Sequence, residues 1–333
     1  MAYIYKKTIG NKPYYYLRIS KRVEDRVIAK DIAYLGSDIN QINAKLDKLP
    51  VKYKDEIRKA YKNIKRFIDS NYYLEKVGKL KENDYINYET LKEIEAIKLH
   101  FNENFQKIDS KTKENTYKNF LVDFAFNTTS IEGNTITLEE ANKLLRDNLT
   151  PKEKFPREIF DLQNTQKVFF YLLEEKPKFD QELVIKIHDM LMANIDERLG
   201  YRTHDIKVFK SRFEASPIKY IKTDMNLLFK WYNKYKKKLH PLVLAALFHQ
   251  KFEKIHPFAD GNGRTGRMVM NYILNVNDYP PLIVKKKNRS EYLRTLSEAD
   301  KSDLNIIDAK YFKRSLKYLG KEFIETYWNN FNI

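Results

Sequence analysis

The densest set of reactive side chains lies between His256 and Arg267, in the run HPFADGNGRTGR. Its second part, Asp260-Gly261-Asn262-Gly263-Arg264-Thr265-Gly266-Arg267, sets three glycines among a carboxylate, an amide and two guanidinium groups. Gly261, Gly263 and Gly266 permit positive φ angles and close approach of backbone to a ligand. The run stands between two apolar helical patterns. Its N–H groups therefore converge at the start of the second helix, where unpaired donors and the helix dipole favour an anion. Arg264 and Arg267 are three residues apart, which puts both near one face of that helix start. Two fork-shaped cations beside an N–H cradle suit a polyphosphate. Asp260 supplies a hard oxygen ligand for a nucleotide-borne Mg²⁺, and His256 can accept a proton near neutral pH. The competing reading is a glycine-rich turn between helices with two surface arginines. His, Asp, Asn and two Arg in one short window weigh against it. No GK[ST] is present, so the run is not a P-loop. A helical pattern precedes it, so it is not a dinucleotide-binding turn either.

A second informative stretch is Thr128-Thr129-Ser130-Ile131-Glu132-Gly133-Asn134. As local structure it reads as a helix ending, with Glu132 in the last turn, Gly133 at the residue beyond the cap and Asn134 entering a loop. His249 lies two turns before His256, close to the same helix face. A buried structural histidine is the favoured reading there. The other histidines, His100, His188, His204 and His240, carry no functional reading.

The elements that must hold these residues are mainly helical. Residues 1–36 are the exception: Ala2–Ile9, Pro13–Ile19 and Arg26–Leu35 are rich in Tyr, Ile and Val and are separated by Gly10-Asn11-Lys12 and Glu24-Asp25. They predict a three-stranded antiparallel meander, one face of which must pack on something else. Residues 37–117 predict a helical connector, with Leu91, Ile94, Ile97, Phe101 and Phe105 at helical spacing and a break over Asn83–Tyr88. Residues 118–303 predict the main helical domain, which carries both stretches. Thr137 and Glu140 form a capping box there, Leu183, Ile187 and Leu191 share a face, and Pro241 opens a strongly apolar helix. Arg202–Phe209 is the one strand-like segment. Residues 304–333 predict a C-terminal helix over Tyr311–Trp328.

The chain has 333 residues, enough for one large domain and a smaller one. It has no cysteine, which excludes disulfides and Cys-based zinc sites. The six histidines show no HxxxH or HExxH pairing, so a metalloprotease has no support. A net charge of +17 suits acidic partners, but acidic residues are interspersed almost everywhere and a well-mixed surface is the favoured reading. No apolar run approaches membrane-spanning length, and the start lacks the apolar core of a signal peptide, so a cytoplasmic location is expected. Lys6, Lys7, Lys12, Arg18, Lys21, Arg22, Arg26 and Lys30 interleave with Tyr3, Tyr5, Tyr14, Tyr15 and Tyr16. That pattern is compatible with single-stranded nucleic acid. Packing of the tyrosines on the helices, or docking of a protein, is favoured over it.

His256–Arg267 resembles the Fic family, whose signature HxFx[D/E]GNGRxxR it fits at every defined position. The resemblance runs from about Lys118 to Asp303, through Gly200-Tyr201-Arg202, Tyr279-Pro280-Pro281 and Arg289-Ser290-Glu291-Tyr292. It implies a mainly α Fic helical bundle with a β-hairpin flap. The implied activity is transfer of AMP from ATP to a Ser, Thr or Tyr hydroxyl of a protein, the chain itself included, with release of pyrophosphate. His256 would be the general base, Phe258 the anchor of the loop, and Asp260 the ligand of Mg²⁺ or Mn²⁺. Asn262 with the amides of Gly261 and Gly263 would stabilise the α-phosphate. Arg264 and Arg267 would orient the outer phosphates, and Thr265 and Gly266 would complete the nucleotide-binding run. Ile206, Lys207, Val208 and Phe209 would form the flap that pairs with the target backbone. Phe209 stands where the family often has glycine. Tyr292 and Asp300 would line the adenine side, Asp300 at a place where asparagine is more usual.

Thr128, Glu132 and Gly133 resemble the family's inhibitory motif [S/T]xxxE[G/N], placed N-terminal to the core. The resemblance implies a bidentate pair between Glu132 and Arg267 that restrains the enzyme. The alternatives within the family are removal of AMP by the same site and transfer of UMP, phosphate or phosphocholine. The alternative of another class is a DNA- or protein-binding regulator that uses the basic N-terminal sheet. A homodimer is compatible with all of these.

Overall fold

The computed structural model describes residues 1–206, 214–305 and 307–332. Three strands open the chain: β1 (Ala2–Ile9), β2 (Lys12–Val23) and β3 (Arg26–Gly36), paired antiparallel in the order β1-β2-β3. Gly10 and Asn11, at φ 53° and 65°, close the first hairpin so that Ile9 pairs with Lys12. Two positive φ angles in succession match the right-handed strand twist. Alternation then decides which face is buried. Ala2 and Ile4 on β1 and Tyr15, Leu17 and Ile19 on β2 point inward.

That face packs on α1 (Ile42–Asp47), α2 (Val51–Lys59) and α3 (Tyr61–Lys76), sharing one core with Ile39, Ile42, Ile64 and Ile68. The sheet thus finds the partner that three strands need. The far end of the β2–β3 hairpin projects beyond these helices, and residues 21–31 are all exposed.

A larger core begins at Ile86 and ends at Phe331. It is built from α4 (Tyr88–Glu103), α5 (Ser110–Ile131), α7 (Pro156–Glu175), α8 (Gln181–Met192), α9 (Ile221–Tyr235), α10 (Pro241–Ile255), α11 (Asn262–Asn275), α12 (Arg289–Ala299) and α13 (Lys313–Asn330), while α6 (Leu138–Asp147) packs Ala141, Leu144 and Leu145 on Val122, Ala125 and Leu162 in a separate small core. The expected capping box of α6 is formed: Glu140 N–H donates to Thr137 Oγ1 at 3.2 Å, and Thr137 N–H donates to Glu140 Oε2 at 2.7 Å. In α10 every residue from Leu242 to Phe248 is fully buried, so this helix runs through the centre of the bundle. The C-terminal helix α13 returns to α4, where Tyr327 and Phe331 pack edge-on against Phe101. Among the described residues no helix is long and apolar enough to cross a membrane.

The strand-like segment Arg202–Phe209 is described only in its first part. Arg202–Ile206 is irregular chain. Lys207, Val208 and Phe209 lie outside the described residues. The backbone N–H of Arg202 donates to Pro257 O at 3.0 Å, and its side chain donates to the carbonyls of His256, His204 and Ser216. These donors tie Arg202 to the chain at His256–Pro257.

Candidate active site

The site forms where α10 ends and α11 begins. His256 closes α10 in the left-handed region, at φ 52°, with its N–H on Phe252 O at 2.9 Å. Six residues on, Asn262 closes the loop. Its side-chain amide donates to Phe258 O at 2.9 Å and its Oδ1 accepts Phe258 N–H at 3.0 Å. Phe258 is fully buried, its ring 3.7 Å from that of His188 and nearly parallel to it. His188 Nε2 also meets the Asp260 carbonyl at 3.1 Å. Loop shape is therefore fixed from within by Asn262 and from below by α8.

Gly261, at φ 75°, is the N-cap of α11. The first intrahelical bond there is Thr265 N–H to Gly261 O, at 2.9 Å. The N–H groups of Asn262, Gly263 and Arg264 precede it and are the anion-binding donors of a helix start. Asn262 contributes to that cradle through its backbone N–H, because its side chain is committed to Phe258.

Arg264 and Arg267 point to different partners. Arg264 is buried against Asp161 of α7, with a second contact to Asp260 Oδ1 at 3.3 Å. Arg267 is 2% exposed and reaches across to α5. Its Nε donates to Thr128 Oγ1 at 2.8 Å, and its Nη2 donates to Thr128 O at 2.9 Å and to Glu132 Oε1 at 2.6 Å. Glu132 therefore meets Arg267 through one oxygen, not as the bidentate fork the resemblance implied. Thr128 takes the Nε edge, and Nη1 faces Tyr292 Oη at 3.5 Å.

The end of α5 is shaped to present Glu132. Gly133 N–H donates to Ser130 O, and Asn134 N–H donates to Thr129 O, each at 3.2 Å. With Gly133 at φ 106° this is a complete Schellman ending. A Cβ on Gly263 would lie 2.3 Å from Glu132 Oε1, so that glycine is what lets the carboxylate sit against the helix start.

These groups surround one cavity of about 750 Å³. His256, Asp260, Gly261, Asn262, Gly263 and Arg267 line one side. Glu132, Tyr292 and Asp300 line it from α5 and α12. Arg264, Thr265 and Gly266 do not line it. Thr265 is fully buried, and Gly266 lets α11 approach α10, since a Cβ there would lie 2.6 Å from His249 Nδ1.

Electrostatics follow from burial. Burial pushes the His256 imidazole below its ordinary value, and the nearby Arg202 charge adds to this. His256 is therefore neutral, and able to take a proton, at pH 7. Burial works against ionisation of Asp260, but Arg264, the Gly261 N–H and Arg157 together hold its carboxyl below the ordinary range. Burial and the Arg267 charge push His249 down to about 3. It stays neutral, with Nε2 2.6 Å from Tyr292 Oη. Tyr292 Oη in turn lies 3.5 Å from Arg267 Nη1. Burial raises Asp300 to about 6, Lys254 partly offsetting it.

Several residues escaped the sequence reading. Asp161 partners Arg264, and Arg289 Nε donates to Ile131 O at 2.8 Å, capping the end of α5. Glu253 stands in the wall behind His256, its side chain 14% exposed, and lines the cavity. A signal for Glu253 existed: His249, Glu253 and His256 stand at helical spacing, so a carboxylate shares a face with both histidines.

Fold and site together define a helical bundle with an anion cradle at one helix start and a histidine facing it. Residues 178–274 match the Fic/DOC family, and the chain carries a Fic domain. Over 183 residues it is 30% identical to "Protein adenylyltransferase Fic" of Drosophila ananassae, which covers 54% of this chain and 37% of that protein. A solved Fic domain containing signaling protein from Bacteroides thetaiotaomicron shares the fold, with a TM-score of 0.62 at 22% identity over 69% of this chain and 94% of that one. A solved Fic family protein from Desulfovibrio desulfuricans G20 is 26% identical, with a TM-score of 0.56 over 74% of this chain and 76% of that one. The chain spans well under half the length of the curated relatives it matches.

Proposed function

We propose that this chain transfers AMP from ATP to a Ser, Thr or Tyr hydroxyl of a protein, and that Glu132 restrains the reaction. The observation that carries the reading is the single cavity shared by His256, the helix start at Gly261–Gly263 and the Glu132–Arg267 pair. The target hydroxyl gives its proton to His256. Its oxygen bonds to the α-phosphorus as the bond from that phosphorus to the β-phosphate oxygen breaks, and pyrophosphate leaves. The N–H groups of Asn262, Gly263 and Arg264 bind the charge that develops on the phosphate oxygens, which is where fixed dipoles lower a barrier most. Arg267 holds an outer phosphate once Glu132 yields it. Arg264, anchored by Asp161, keeps the helix start rigid.

Among the described residues no group of three His, Asp or Glu is placed to hold a metal by itself. Asp260, ionised at pH 7 and at the cavity edge, fits a Mg²⁺ whose other ligands are phosphate oxygens and water. Such an ion neutralises phosphate charge. The leucines 293 and 296 and the carboxyl of Asp300 face the cavity from α12, on the side proposed for the base. With no cysteine to oxidise, a cytoplasmic setting suits the chain.

The test is incorporation of label from ATP carrying it at the α-phosphate, against ATP carrying it at the γ-phosphate, followed by mass spectrometry of the modified residue. Label from the α position alone supports AMP transfer. Label from the γ position alone makes the chain a kinase and overturns the proposal.

A further inference from the structure

Among the described residues that line the cavity, Glu253 is a largely enclosed carboxyl that the reaction as drawn does not use. It lies on the last turn of α10, with Oε2 4.0 Å from His256 Nδ1 and Oε1 3.9 Å from His249 Nδ1. Oε1 is buried without a hydrogen-bond partner, and so is His249 Nδ1. His256 Nδ1 also faces the Glu253 carbonyl at 3.3 Å. Nδ1 of the proposed base is thus turned toward its own helix, and Nε2 is the nitrogen on the far side of the ring. Such an orphaned polar atom is rare in a packed interior and calls for a role.

We propose that Glu253 is a positioning residue for His256: its backbone carbonyl, 3.3 Å from Nδ1, keeps the ring proton there, and its carboxyl, 4.0 Å behind the imidazole, sets the pH range over which Nε2 accepts another. This rests on the AMP-transfer reading only for its catalytic meaning; the coupling itself belongs to the resting protein.

Groups facing Glu253 come from every neighbouring element. His249 shares its helix, His256 follows it, and Arg267 comes from α11. Tyr292 and Asp300 come from α12, and Glu132 from the end of α5. Burial raises its carboxyl to about 8, Arg267 partly opposing and Glu132 and Asp300 adding to the rise. At neutral pH the carboxyl is uncharged and leaves His256 an unprotonated base. Above that range its negative charge, 4.0 Å from Nδ1, favours the imidazolium. Two groups this close titrate as a pair.

The decisive measurement is NMR titration of the His256 ring and the Glu253 carboxyl carbon in the full chain, without substrate. The expected result is a Glu253 step near pH 8 that also appears in the His256 signal. In Glu253→Gln the His256 curve loses that second step. A Glu253 carboxyl that titrates below pH 6, or a His256 curve identical in both proteins, overturns the proposal. The wild-type titration decides the matter even where Glu253→Gln does not fold. In the transfer assay, Glu253→Gln loses the inflection of kcat near pH 8. A wild-type chain with no AMP transfer at any pH refutes the proposed function and leaves the NMR result standing.

Discussion

Replacing Glu132 by Gln keeps the side-chain size and removes its charge. In the structure Glu132 Oε1 accepts one charge-assisted hydrogen bond, at 2.6 Å, from Arg267 Nη2. Arg267 is almost fully buried, whereas the Glu132 side chain is 38% exposed. Water screens the pair from the glutamate side, so the full strength of a buried ion pair does not apply. A hydrogen bond to a charged group in this setting contributes about 1.5–3 kcal/mol. An outer phosphate that binds Arg267 must displace that contact. Removing the competitor therefore strengthens productive ATP binding by roughly 10- to 150-fold, at about 1.4 kcal/mol per tenfold. Arg267 itself stays anchored by Thr128 Oγ1 and Thr128 O, so the loop does not lose its arginine position. The assay is the initial rate of AMP incorporation at ATP concentrations below saturation, for wild type, Glu132→Gln, Glu132→Gly and Glu132→Gln/His256→Ala. Both single variants are expected to gain at least tenfold, and the double variant to fall to background. A rate unchanged by Glu132→Gln would refute the competition argument. A double variant as active as Glu132→Gln would refute His256 as the base.

Other consequences follow from the packing. Asp161→Asn removes the nearer charge partner of the buried Arg264 and leaves only the longer contact to Asp260, so a loss toward the lower end of about 3–5 kcal/mol is expected in chemical denaturation. Gly266→Ala would put a methyl 2.6 Å from His249 Nδ1 in the packed α10–α11 contact, and a loss of about 1–3 kcal/mol is expected in the same measurement. Gly133 sits at φ 106° with open space around it, so Gly133→Ala strains the backbone alone. It should cost about 1–2 kcal/mol and, by loosening the end of α5, raise AMP transfer. Glu253 has a folded pKa of about 8 against an ordinary value of 4.5. The folded state therefore binds a proton that the unfolded state has lost, and the resulting stabilisation is full below about pH 4.5 and disappears as pH rises through 8. Stability measured from pH 5 to pH 8 should fall more in wild type than in Glu253→Gln. One pKa unit is worth about 1.4 kcal/mol, and equal slopes would contradict this burial effect.

Much of this architecture can be read locally. The first hairpin follows from Gly10-Asn11, the α6 start from Thr137 and Glu140, and the ending of α5 from Gly133. Each is a short-range hydrogen-bond or φ requirement that a few consecutive residues satisfy. The apolar run from Leu242 to Phe248 announces a buried helix for the same reason. Arg202 shows what such reasoning does not reach: its donors go to carbonyls of the loop at His256–Pro257, more than fifty positions away in the chain.

For the site itself, residue types and spacing determined the anion cradle, because a helix start after glycine exposes its N–H groups whatever surrounds it. They also determined that a histidine stands beside that cradle. Tertiary structure alone decided how the two arginines divide: Arg264 against Asp161, Arg267 against Thr128 and Glu132. The helix spacing of three sends both toward the same side, and the partners waiting on α7 and α5 pull them apart. It decided as well that Glu253 stands behind His256 as a buried acid. The i, i+3 spacing brings the two together, but only the enclosing helices remove the water that would otherwise keep that carboxyl ionised.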